Sequence, residues 1–578
     1  MIPLHRLVHA LAFVTAACSS SGNRAADSSG GNGGSLGVAG SSTASAGRGE
    51  PSATGGSNTS AAGGSGSLAS GGTAANSVAG SNSAGHSTGG TPGGGSSALG
   101  GGGATQNGGS SNAGSPGVSA GLIRNDVFWK DTAGNNIYSQ GGGVLTVGST
   151  YYWYGVNYAG AATYAANPSN QNSNTNFVAI TVYSSTDLAT WKFEGNALTY
   201  ATMAAKLTMS SSTWIGRVGA AYHAATKKYV IIGQYLGTPD TQQFFATSDT
   251  PSGPFTVSGT QAKLTNVVND NCGDQAIFND DDGQAYIVCS SLSGRANIYV
   301  VPLRAADFLA AEPATRIYNG AGREGNAMFK FNGRYYACSS DLHGWNASHS
   351  YCISATNILG PYSAESVMGN TDLDFSHVTQ TGLFITVKGS TQSTVIFGGD
   401  RWSDFAGNGI GYNQWMPLTF DGIAPSMQSL GEWSINPSTG TWAVGPGNNY
   451  ALNPSFEADR VATNPPAGWK TSAGADVTTT HSGNFAWQLT DAASVTQTRS
   501  GLPNGTYTLS VWVRGTGTGS LQAKGFGGTD LSAALTGSAN AWTQVKLSGI
   551  AISNGQCQIG AASSAGTLSV DDFTLIRN

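Results

Sequence analysis

Charged side chains are scarce in this 578-residue sequence. Asp, Glu, Lys and Arg make up 10% of it, the formal net charge is −5, and Lys and Arg form no basic stripe. Domains that bind nucleic acid carry clustered Lys and Arg, so we expect no nucleic acid among the partners. The nearly neutral, polar and aromatic-rich composition favours instead a neutral ligand such as a sugar, bound through hydroxyl, amide and ring contacts.

Long apolar runs are also missing. The run Leu7–Val14 is too short to span a bilayer, and no later stretch is long and apolar enough to do so. This run follows Arg6 and precedes small residues and Cys18, a pattern that resembles a bacterial lipoprotein signal. We therefore predict a signal peptide over residues 1–18, a lipid on Cys18 as the membrane anchor, and a location on the outer cell surface or outside the cell. Cleavage near Ala17 and secretion without a lipid is the alternative.

Large apolar side chains are almost absent from residues 19–120, which consist mainly of Gly, Ser, Ala, Asn and Thr. Such a segment cannot bury enough apolar surface to offset its chain entropy. A Gly/Ser-rich coil of about 100 residues has a root-mean-square span of roughly 50–60 Å. Residues 19–120 are therefore predicted to be a disordered linker that holds the folded part of the chain away from a membrane.

Cysteine is rare, with 6 residues, and no Cys-x-x-Cys pair occurs, which argues against a zinc site. Cys272 and Cys289 flank one turn, and Cys338 and Cys352 flank another loop. Each pair could lie across adjacent antiparallel strands. In an oxidising compartment both pairs are predicted to form disulfides. Buried free thiols are the alternative, and Cys557 has no evident partner.

No long segment after residue 120 shows helical periodicity; short aromatic strands alternate with Gly, Asn and Asp turns instead. One aromatic strand recurs, as Tyr151–Gly155, Lys228–Gly233, Ala285–Cys289, Arg334–Cys338 and Thr394–Gly398. Such a repeat predicts an all-β fold with a five-bladed β-propeller over residues 121–447. A pair of β-sandwiches is the alternative.

The pattern changes near residue 448. Residues 450–578 contain short strands that alternate apolar and polar residues, such as Tyr507–Val513. About 130 residues of this kind predict a jelly-roll β-sandwich. The sequence thus predicts four parts, namely a signal peptide over 1–18, a linker over 19–120, a propeller over 121–447 and a sandwich over 450–578.

Four stretches of the propeller segment resemble glycoside hydrolase family 43, in the branch that contains the exo-β-1,3-galactanases. They occur in order and at the spacing of successive blades: Gln140–Gly143 with Tyr151–Gly155; Asp274–Phe278 with Asp280–Tyr286; Arg323–Glu324 with Ala327–Lys330 and Gly344–Asn346; and Thr379–Thr381 with Gly399–Trp402 and Trp415–Phe420. The resemblance implies a propeller enzyme that hydrolyses glycosidic bonds with inversion at the anomeric carbon and without a catalytic cofactor.

Glycoside hydrolysis needs an acid that protonates the leaving oxygen and a group that activates water, held roughly 6.5–9.5 Å apart in inverting enzymes. The resemblance implies that Glu324 is the acid and that Asp274 orients it and favours its protonated form. A catalytic acid keeps its proton near neutral pH through partial burial or a neighbouring negative charge. Gln380 matches a Gln that positions the water in galactanase-like members.

The base is where this sequence departs from the family pattern. Most members have an Asp in the first blade, whereas this chain has Gln140 before three glycines, where galactanase-like members usually carry His. An amide is a poor base, so Asp131 and Asp374 are reserve candidates. A second departure is Gly216 before Arg217, where galactanase-like members have Glu before Arg, and this loss of a sugar contact leaves specificity for galactan open.

Other positions in the matching stretches are predicted to bind the sugar. The polar ones are Gln140, Arg217, Asn346 and Arg401. Aromatic rings can pack against the C–H groups of a sugar face, and the candidate platforms are Trp153, Tyr154, Trp345, Trp402 and Trp415. A place in the core of a blade is the alternative for each ring.

Residues 450–578 resemble jelly-roll carbohydrate-binding modules, in which acidic residues near both ends often hold a structural calcium ion. Glu457 and Asp571 match that arrangement, so the resemblance implies a calcium site there. Four rings are available to stack on sugar, and we expect at least two of them in the core: Trp469, Trp487, Trp512 and Trp542.

These patterns together predict a monomeric glycosidase that cleaves galactosyl, arabinosyl or xylosyl linkages in a plant or microbial polysaccharide. The alternative is a non-catalytic surface lipoprotein that binds glycan and whose propeller has lost its base. Gln140 and Gly216 favour the alternative, whereas Glu324, Asp274 and Gln380 favour the enzyme.

Overall fold

A computed structural model of the chain describes residues 121–167, 174–236, 241–344, 346–401, 412–458 and 466–578. The predicted signal peptide with Cys18, the predicted linker, Trp345 and Trp402 lie outside these residues. Across the described ranges, no helix combines the length and the apolar character that crossing a membrane requires.

The short strand β1 (Leu122–Arg124) is followed by five four-stranded antiparallel sheets, each with its strands in chain order. The first sheet contains β2 (Gln140–Val147), β3 (Thr150–Tyr158), β4 (Phe177–Ser185) and β5 (Lys192–Thr199). The second contains β6 (Ile215–His223), β7 (Lys228–Leu236), β8 (Thr241–Ser248) and β9 (Thr256–Gln261). The third contains β10 (Cys272–Asn279), β11 (Ala285–Ser291), β12 (Asn297–Pro302) and β13 (Thr315–Asn319).

The fourth sheet contains β14 (Glu324–Phe331), β15 (Arg334–Ser340), β16 (Ser350–Ala355) and β17 (Ser366–Val367). The fifth contains β18 (Gln380–Lys388), β19 (Ser393–Arg401), β20 (Tyr412–Asp421) and β21 (Ala424–Met427). Strand β1 pairs with β22 (Glu432–Asn436), which pairs with β23 (Thr441–Val444). The helical elements described are short: α1 (Ala159–Ala166), α2 (Tyr200–Ala204), α3 (Thr371–Val378) and a 3₁₀ turn (Val268–Asp270).

Apolar clusters fill the spaces between neighbouring sheets. One cluster joins the first and second sheets, and three more join the second to the third, the third to the fourth and the fourth to the fifth. A further cluster joins Trp153 of the first sheet to Leu383 of the fifth. The first strands β2, β6, β10, β14 and β18 contact one another in that order, and β18 contacts β2. The predicted all-β class is confirmed, and the arrangement is consistent with a β-propeller.

Each first strand shifts its register close to its start. The shifts lie between Gln140 and Gly143, Gly216 and Val218, Gly273 and Ala276, Glu324 and Ala327, and Thr381 and Leu383. A β-bulge kinks the strand and redirects a side chain. At Gly325, φ is +59° and a Cβ atom would lie 2.6 Å from the Thr381 carbonyl oxygen, so only glycine permits this approach. The bulges thus turn polar side chains of different sheets toward one another.

Two five-stranded antiparallel sheets follow in residues 466–578. One has the order β25 (Ala475–Val477), β26 (Ala486–Thr490), β33 (Thr567–Arg577), β28 (Gly505–Gly515) and β31 (Thr543–Ile552). The other has the order β24 (Lys470–Thr471), β27 (Ser494–Ser500), β32 (Gln556–Ala565), β29 (Thr518–Lys524) and β30 (Leu531–Thr536). Side chains from both sheets, such as Val511 and Ile559, form one buried apolar cluster, and this shared core suggests a β-sandwich.

The described part of the chain contains two disulfides, and both connect neighbouring strands. Cys272–Cys289 joins β10 to β11, and Cys338–Cys352 joins β15 to β16. The cysteine pairs that the turns suggested are therefore the pairs that are bonded. Among the described residues, Cys557 is the free cysteine, and it is buried in the core of the two last sheets.

Candidate active site

Glu324 and Gln380 begin the first strands of adjacent sheets, β14 and β18. The Gln380 amide donates from Nε2 to Glu324 Oε1 over 2.9 Å. The two residues are only 4% and 5% exposed, respectively. Burial disfavours the charged form of a carboxyl group, and this environment is the one that the predicted acid requires.

Arg217 lies at the bulge of β6 and is also buried. Its Nη2 donates to Gln380 Oε1 over 2.5 Å, its Nη1 donates to Asp400 Oδ2 over 3.3 Å, and its Nε lies 3.7 Å from Asp274 Oδ1. A buried guanidinium loses its hydration, so carboxylate partners are needed to stabilise it. Arg217 of the second sheet therefore links Gln380 and Asp400 of the fifth sheet to Asp274 of the third.

Asp274 holds two arginines. In addition to Arg217, its Oδ2 lies 2.6 Å from Arg295 Nη1, and Arg295 Nε lies 4.0 Å from Glu324 Oε2. The backbone of Asp274 has φ +48°, a left-handed conformation that costs a non-glycine residue about 1–3 kcal/mol and tends to occur at functional sites. These contacts connect Asp274 to Glu324 through Arg295.

Asp400 is a member of the site that the sequence did not single out. Besides Arg217, its carboxylate accepts the Gly141 N–H over 3.2 Å. Burial raises the pKa of Asp400 above its ordinary value, and the Arg217 charge and the Gly141 N–H oppose that rise. The only signal in the sequence was its place in the stretch Gly399–Trp402. Pairing of β18 with β19, which sets Asp400 opposite Gln380, is what brings it to the site.

Gln140, the first residue of β2, is buried beside Gly141. Each of the five first strands therefore carries one predicted site residue near its start, namely Gln140, Arg217, Asp274, Glu324 and Gln380. We call the contacting set Glu324, Gln380, Arg217, Asp274, Arg295 and Asp400 the Glu324 cluster. A buried carboxyl group beside amide and guanidinium donors can protonate a leaving oxygen while a donor nearby orients water.

Three predicted sugar platforms lie in the core instead. Trp153, Tyr154 and Trp415 are 0%, 0% and 1% exposed. Trp153 packs against Trp415 and Trp191 with ring centroids 5.1 and 5.3 Å apart, and the Tyr154 hydroxyl donates to a backbone carbonyl. These rings lie on β3 and β20, strands with partners on both sides, whose side chains fill the clusters between sheets. The prediction that they stack on sugar is corrected accordingly.

Two polar candidates lie in other surroundings. Arg401, at the end of β19, donates from Nη1 to Asp126 Oδ1 over 2.6 Å. Asn346 is partly exposed, and its Nδ2 donates to the His343 carbonyl over 3.3 Å. These contacts place them outside the Glu324 cluster as defined above, so contact with sugar stays a prediction for both.

The reserve bases have structural partners. Asp131 Oδ1 accepts two backbone N–H groups of the turn that follows it, each at 2.9 Å. Asp374 accepts the His377 N–H over 2.9 Å and the Ser429 hydroxyl. Neither Asp131 nor Asp374 belongs to the Glu324 cluster. The carboxylate that joins the cluster without having been predicted is Asp400.

The predicted calcium ligands both face the loop 481–485. Glu457 Oε1 accepts the N–H groups of Asn484 and Phe485, each over 2.8 Å. Asp571 Oδ2 accepts the N–H groups of His481 and Ser482 over 2.8 and 3.2 Å. Burial and then the neighbouring Asp572 raise the pKa of Asp571 to about 8. Among the residues that the structure describes, no group of three or more His, Cys, Asp or Glu side chains is arranged to hold a metal.

Comparisons with known proteins agree with this geometry. Residues 144–397 match the family described as Glycosyl hydrolases family 43. A structure of exo-β-1,3-galactanase from Phanerochaete chrysosporium with β-1,3-galactotriose is 24% identical, with a TM-score of 0.51, over 79% of this chain and 100% of that chain. A second structure of that enzyme is 23% identical, with a TM-score of 0.50, over 78% of this chain and 100% of that one. No curated protein matches this chain.

An exo-β-1,3-galactanase from Clostridium thermocellum is 18% identical, with a TM-score of 0.49, over 79% of this chain and 100% of that chain. The family match includes Arg217, Asp274, Glu324 and Gln380. Residues 144–397 thus match glycosyl hydrolases family 43, and we conclude that the chain is a glycosidase.

Proposed function

We propose that this glycosidase hydrolyses galactosyl linkages of a polysaccharide with inversion at the anomeric carbon. We further propose that the five sheets of residues 121–447 close into a five-bladed propeller around the Glu324 cluster. The contact of β18 with β2 supports closure. The galactosyl substrate is supported by the similar fold of exo-β-1,3-galactanase structures determined with β-1,3-galactotriose.

The observation that carries the proposal is the buried carboxyl of Glu324 among the donors of the Glu324 cluster. Gln380 Nε2 lies 2.9 Å from Glu324 Oε1, shorter than the roughly 6.5–9.5 Å that leaves room for water in inverting enzymes, so in the proposed reaction this hydrogen bond opens when sugar and water enter. In the proposed reaction Glu324 gives its proton to the glycosidic oxygen as the bond to the anomeric carbon breaks. Gln380 orients a water that adds to the anomeric carbon from the opposite face and releases a proton to solvent as the new C–O bond forms, since an amide can hold water by hydrogen bonds but does not take its proton. A proton from solvent then restores Glu324. Asp274 holds Arg295 beside Glu324, and Asp400 holds Arg217 against Gln380.

A panel assay tests the function. Purified protein is incubated with β-1,3-galactan, arabinogalactan, arabinan, xylan and aryl glycosides, and the released sugars are identified by chromatography. We expect galactose from the galactans, and proton NMR of the first product should show the anomer opposite to that of the substrate. Release of arabinose or xylose alone would contradict the galactosyl assignment. Binding to the same glycans without any release would favour the non-catalytic alternative.

We propose that residues 450–578 form a jelly-roll sandwich that binds carbohydrate. Trp469 and Trp487 are buried in its core, which leaves Trp512 and Trp542 as partly exposed rings. The His481 ring stacks on Trp512 with centroids 3.8 Å apart and lies 6.1 Å from Trp542. Ring faces grouped in this way support stacking on a sugar.

We also propose a structural calcium ion held by Glu457 and Asp571. The fit test is the burial of Asp571, which is 0% exposed and whose described hydrogen bonds come from backbone N–H groups. With its pKa raised to about 8, the Asp571 carboxyl keeps a proton near neutral pH, and hard cations such as calcium prefer carboxylate oxygens. A calcium ion there would take the place of that proton and fix Glu457 and Asp571 to the loop 481–485.

The remaining proposals concern the whole molecule. We propose that it acts as a monomer attached through a lipid on Cys18 to the outer cell surface, with residues 19–120 as the linker. Light scattering of the purified protein tests the first point. Metabolic labelling with a fatty acid tests the second, since a Cys18→Ser variant should lose the label and appear in the medium.

A further inference from the structure

A tryptophan that the sequence motifs did not mark lies next to the Glu324 cluster. Trp214 immediately precedes β6, and its carbonyl accepts the Leu236 N–H at the end of β7 over 3.1 Å. The residue is partly exposed, whereas its indole Nε1 is buried. Its inner part packs on the apolar cluster that contains Tyr158. The ring is therefore held by both its backbone and its inner edge, with the nitrogen turned inward.

Gly216 is what makes room for this ring. A Cβ atom at residue 216 would lie 2.5 Å from Trp214 Cζ2 and 2.7 Å from Cη2. Non-bonded carbon atoms do not approach this closely, so no side chain fits at residue 216 while the ring is in this position. The six-membered part of the indole therefore occupies the space that a side chain at residue 216 would need. Trp214 and a side chain at 216 exclude each other in this conformation.

The bulge places this ring beside the site residues. Gly216 pairs with Gln234, and the register shifts before Val218, so Arg217 is the extra residue of the bulge. In a bulge the chain bends and re-aims its side chains, and here Arg217 reaches Gln380 and Asp400. The Tyr158 hydroxyl donates to the carbonyl of Ile215, which lies between Trp214 and Gly216, over 2.7 Å, and this bond fixes the segment beside Arg217.

We propose that Trp214 is a specificity-determining residue whose indole forms an apolar wall of the sugar site beside Arg217, where the galactosyl residue packs its C–H face. This inference rests on the proposed galactosidase function. On this side of the site the galactosyl residue would be recognised by ring stacking, because the indole leaves no room for a polar side chain at residue 216. The predicted rings Trp153, Tyr154 and Trp415 are in the core and cannot take this role.

The test separates binding from catalysis. In a Glu324→Gln background, which removes the proposed acid, binding of β-1,3-galactobiose is measured by isothermal titration calorimetry with and without Trp214→Ala. We expect about tenfold weaker binding from Trp214→Ala, because the change removes the apolar ring face on which the sugar would pack. Trp214→Phe should keep more than half of the affinity. Trp442→Ala, which removes a partly exposed indole on β23, is the matched control and should not change affinity.

A double-mutant cycle tests the link to residue 216. Gly216→Ala should displace the indole and weaken binding, and the same change in a Trp214→Ala background should have no further effect. Thermal melting of each variant checks that it is folded. Wild-type affinity in the Trp214→Ala variant, or an undiminished Gly216→Ala effect without the indole, would overturn the inference while galactosidase activity of the wild type stands. If the wild type neither cleaves nor binds galactobiose, the proposed function fails, and the inference fails with it.

Discussion

Largely or fully buried carboxylates occur in residues 121–447 and in residues 450–578, but their charges are stabilised in different ways. In residues 121–447, Asp274 and Asp400 lie 3.7 and 3.3 Å from Arg217, which comes from another sheet. In residues 450–578, Glu457 and Asp571 accept backbone N–H groups from one loop. The charges of the first arrangement come from different sheets, whereas the carboxylates of the second accept N–H groups of the loop 481–485.

The two regions therefore differ in what their carboxylates can do. Full charges of opposite sign fix one another in position, so the Glu324 cluster holds an acid and an amide in a set geometry, which catalysis requires. Burial and the neighbouring Asp572 raise the pKa of Asp571 to about 8 and outweigh the backbone N–H groups, which lower it. Asp571 therefore keeps a proton near neutral pH, which a bound cation could replace.

The largest effect is expected from the acid. Glu324→Gln should abolish hydrolysis of unactivated substrates while leaving the fold intact, because an amide cannot donate the proton that the leaving oxygen needs. Initial rates on galactan and a thermal melt provide the measurement. Glu194→Gln, which changes a carboxylate of β5 that accepts the Ser184 hydroxyl, is the control and should keep full activity. Retention of more than about a tenth of the wild-type rate would rule out Glu324 as the acid.

Gln380→Ala should lower the rate by about 10²–10⁴, the usual range for a lost acid–base contribution. Added azide should restore part of the rate and yield an inverted glycosyl azide, because a small anion needs no base and fits the vacated space. Near-normal activity of this variant, together with an inactive Asp131→Ala or Asp374→Ala, would replace Gln380 by a conventional carboxylate base.

Asp400→Asn tests the cross-sheet charges. Arg217 would lose one of its carboxylates, and removal of a buried partner destabilises a protein by about 3–5 kcal/mol. A shift of the Arg217–Gln380 pair should also lower kcat/KM by about 10²-fold. Urea unfolding and initial rates measure the two effects. Asp249→Asn, which breaks the exposed pair with Lys228, is the matched control, with less than about 1 kcal/mol lost; equal losses from both variants would refute the cross-sheet role.

Asp571 tests the other side of the comparison. Its folded pKa of about 8 lies above the ordinary 3.8, so the folded state keeps a proton that the unfolded chain loses between these values. Without calcium, stability should be greatest below about pH 4 and fall as the pH rises toward about 8. Melting temperatures with EDTA and with calcium measure this, and calcium should raise the values near pH 8 most. Asp571→Asn should remove the pH dependence, whereas Asp530→Asn, at an exposed position, should not.

The smallest effect concerns the rings of the second half. Trp512→Ala and Trp542→Ala should lower binding to insoluble galactan severalfold and leave the rate on a small aryl galactoside unchanged, since these rings are proposed to bind polysaccharide away from the Glu324 cluster. A pull-down with insoluble galactan and a soluble-substrate assay give the two readings. Equal losses in both assays would show a structural role.

The strands and the chemistry-bearing residues could be predicted because both leave local patterns. The recurrent aromatic strand is the second strand of each of the five sheets, β3, β7, β11, β15 and β19. Its regularity follows from the burial of both of its faces against neighbouring sheets. Glu324, Asp274 and Gln380 were identified because the stretches that contain them resemble family 43, and the cysteine pairs stood out because they flank turns.

The contacts between side chains could not be predicted from the sequence, because they depend on how the sheets pack. A sequence shows that Trp153 and Trp415 are large and apolar, but their burial depends on the neighbouring sheet that covers them. Asp400 enters the site because β19 pairs with β18, and Trp214 borders it because Gly216 leaves its ring room. These outcomes depend on contacts between residues far apart in the chain, which no local pattern encodes. Local patterns thus predicted strands and turns and led to the proposal of Glu324 as the acid, whereas the packing of the sheets set which side chains contact Glu324.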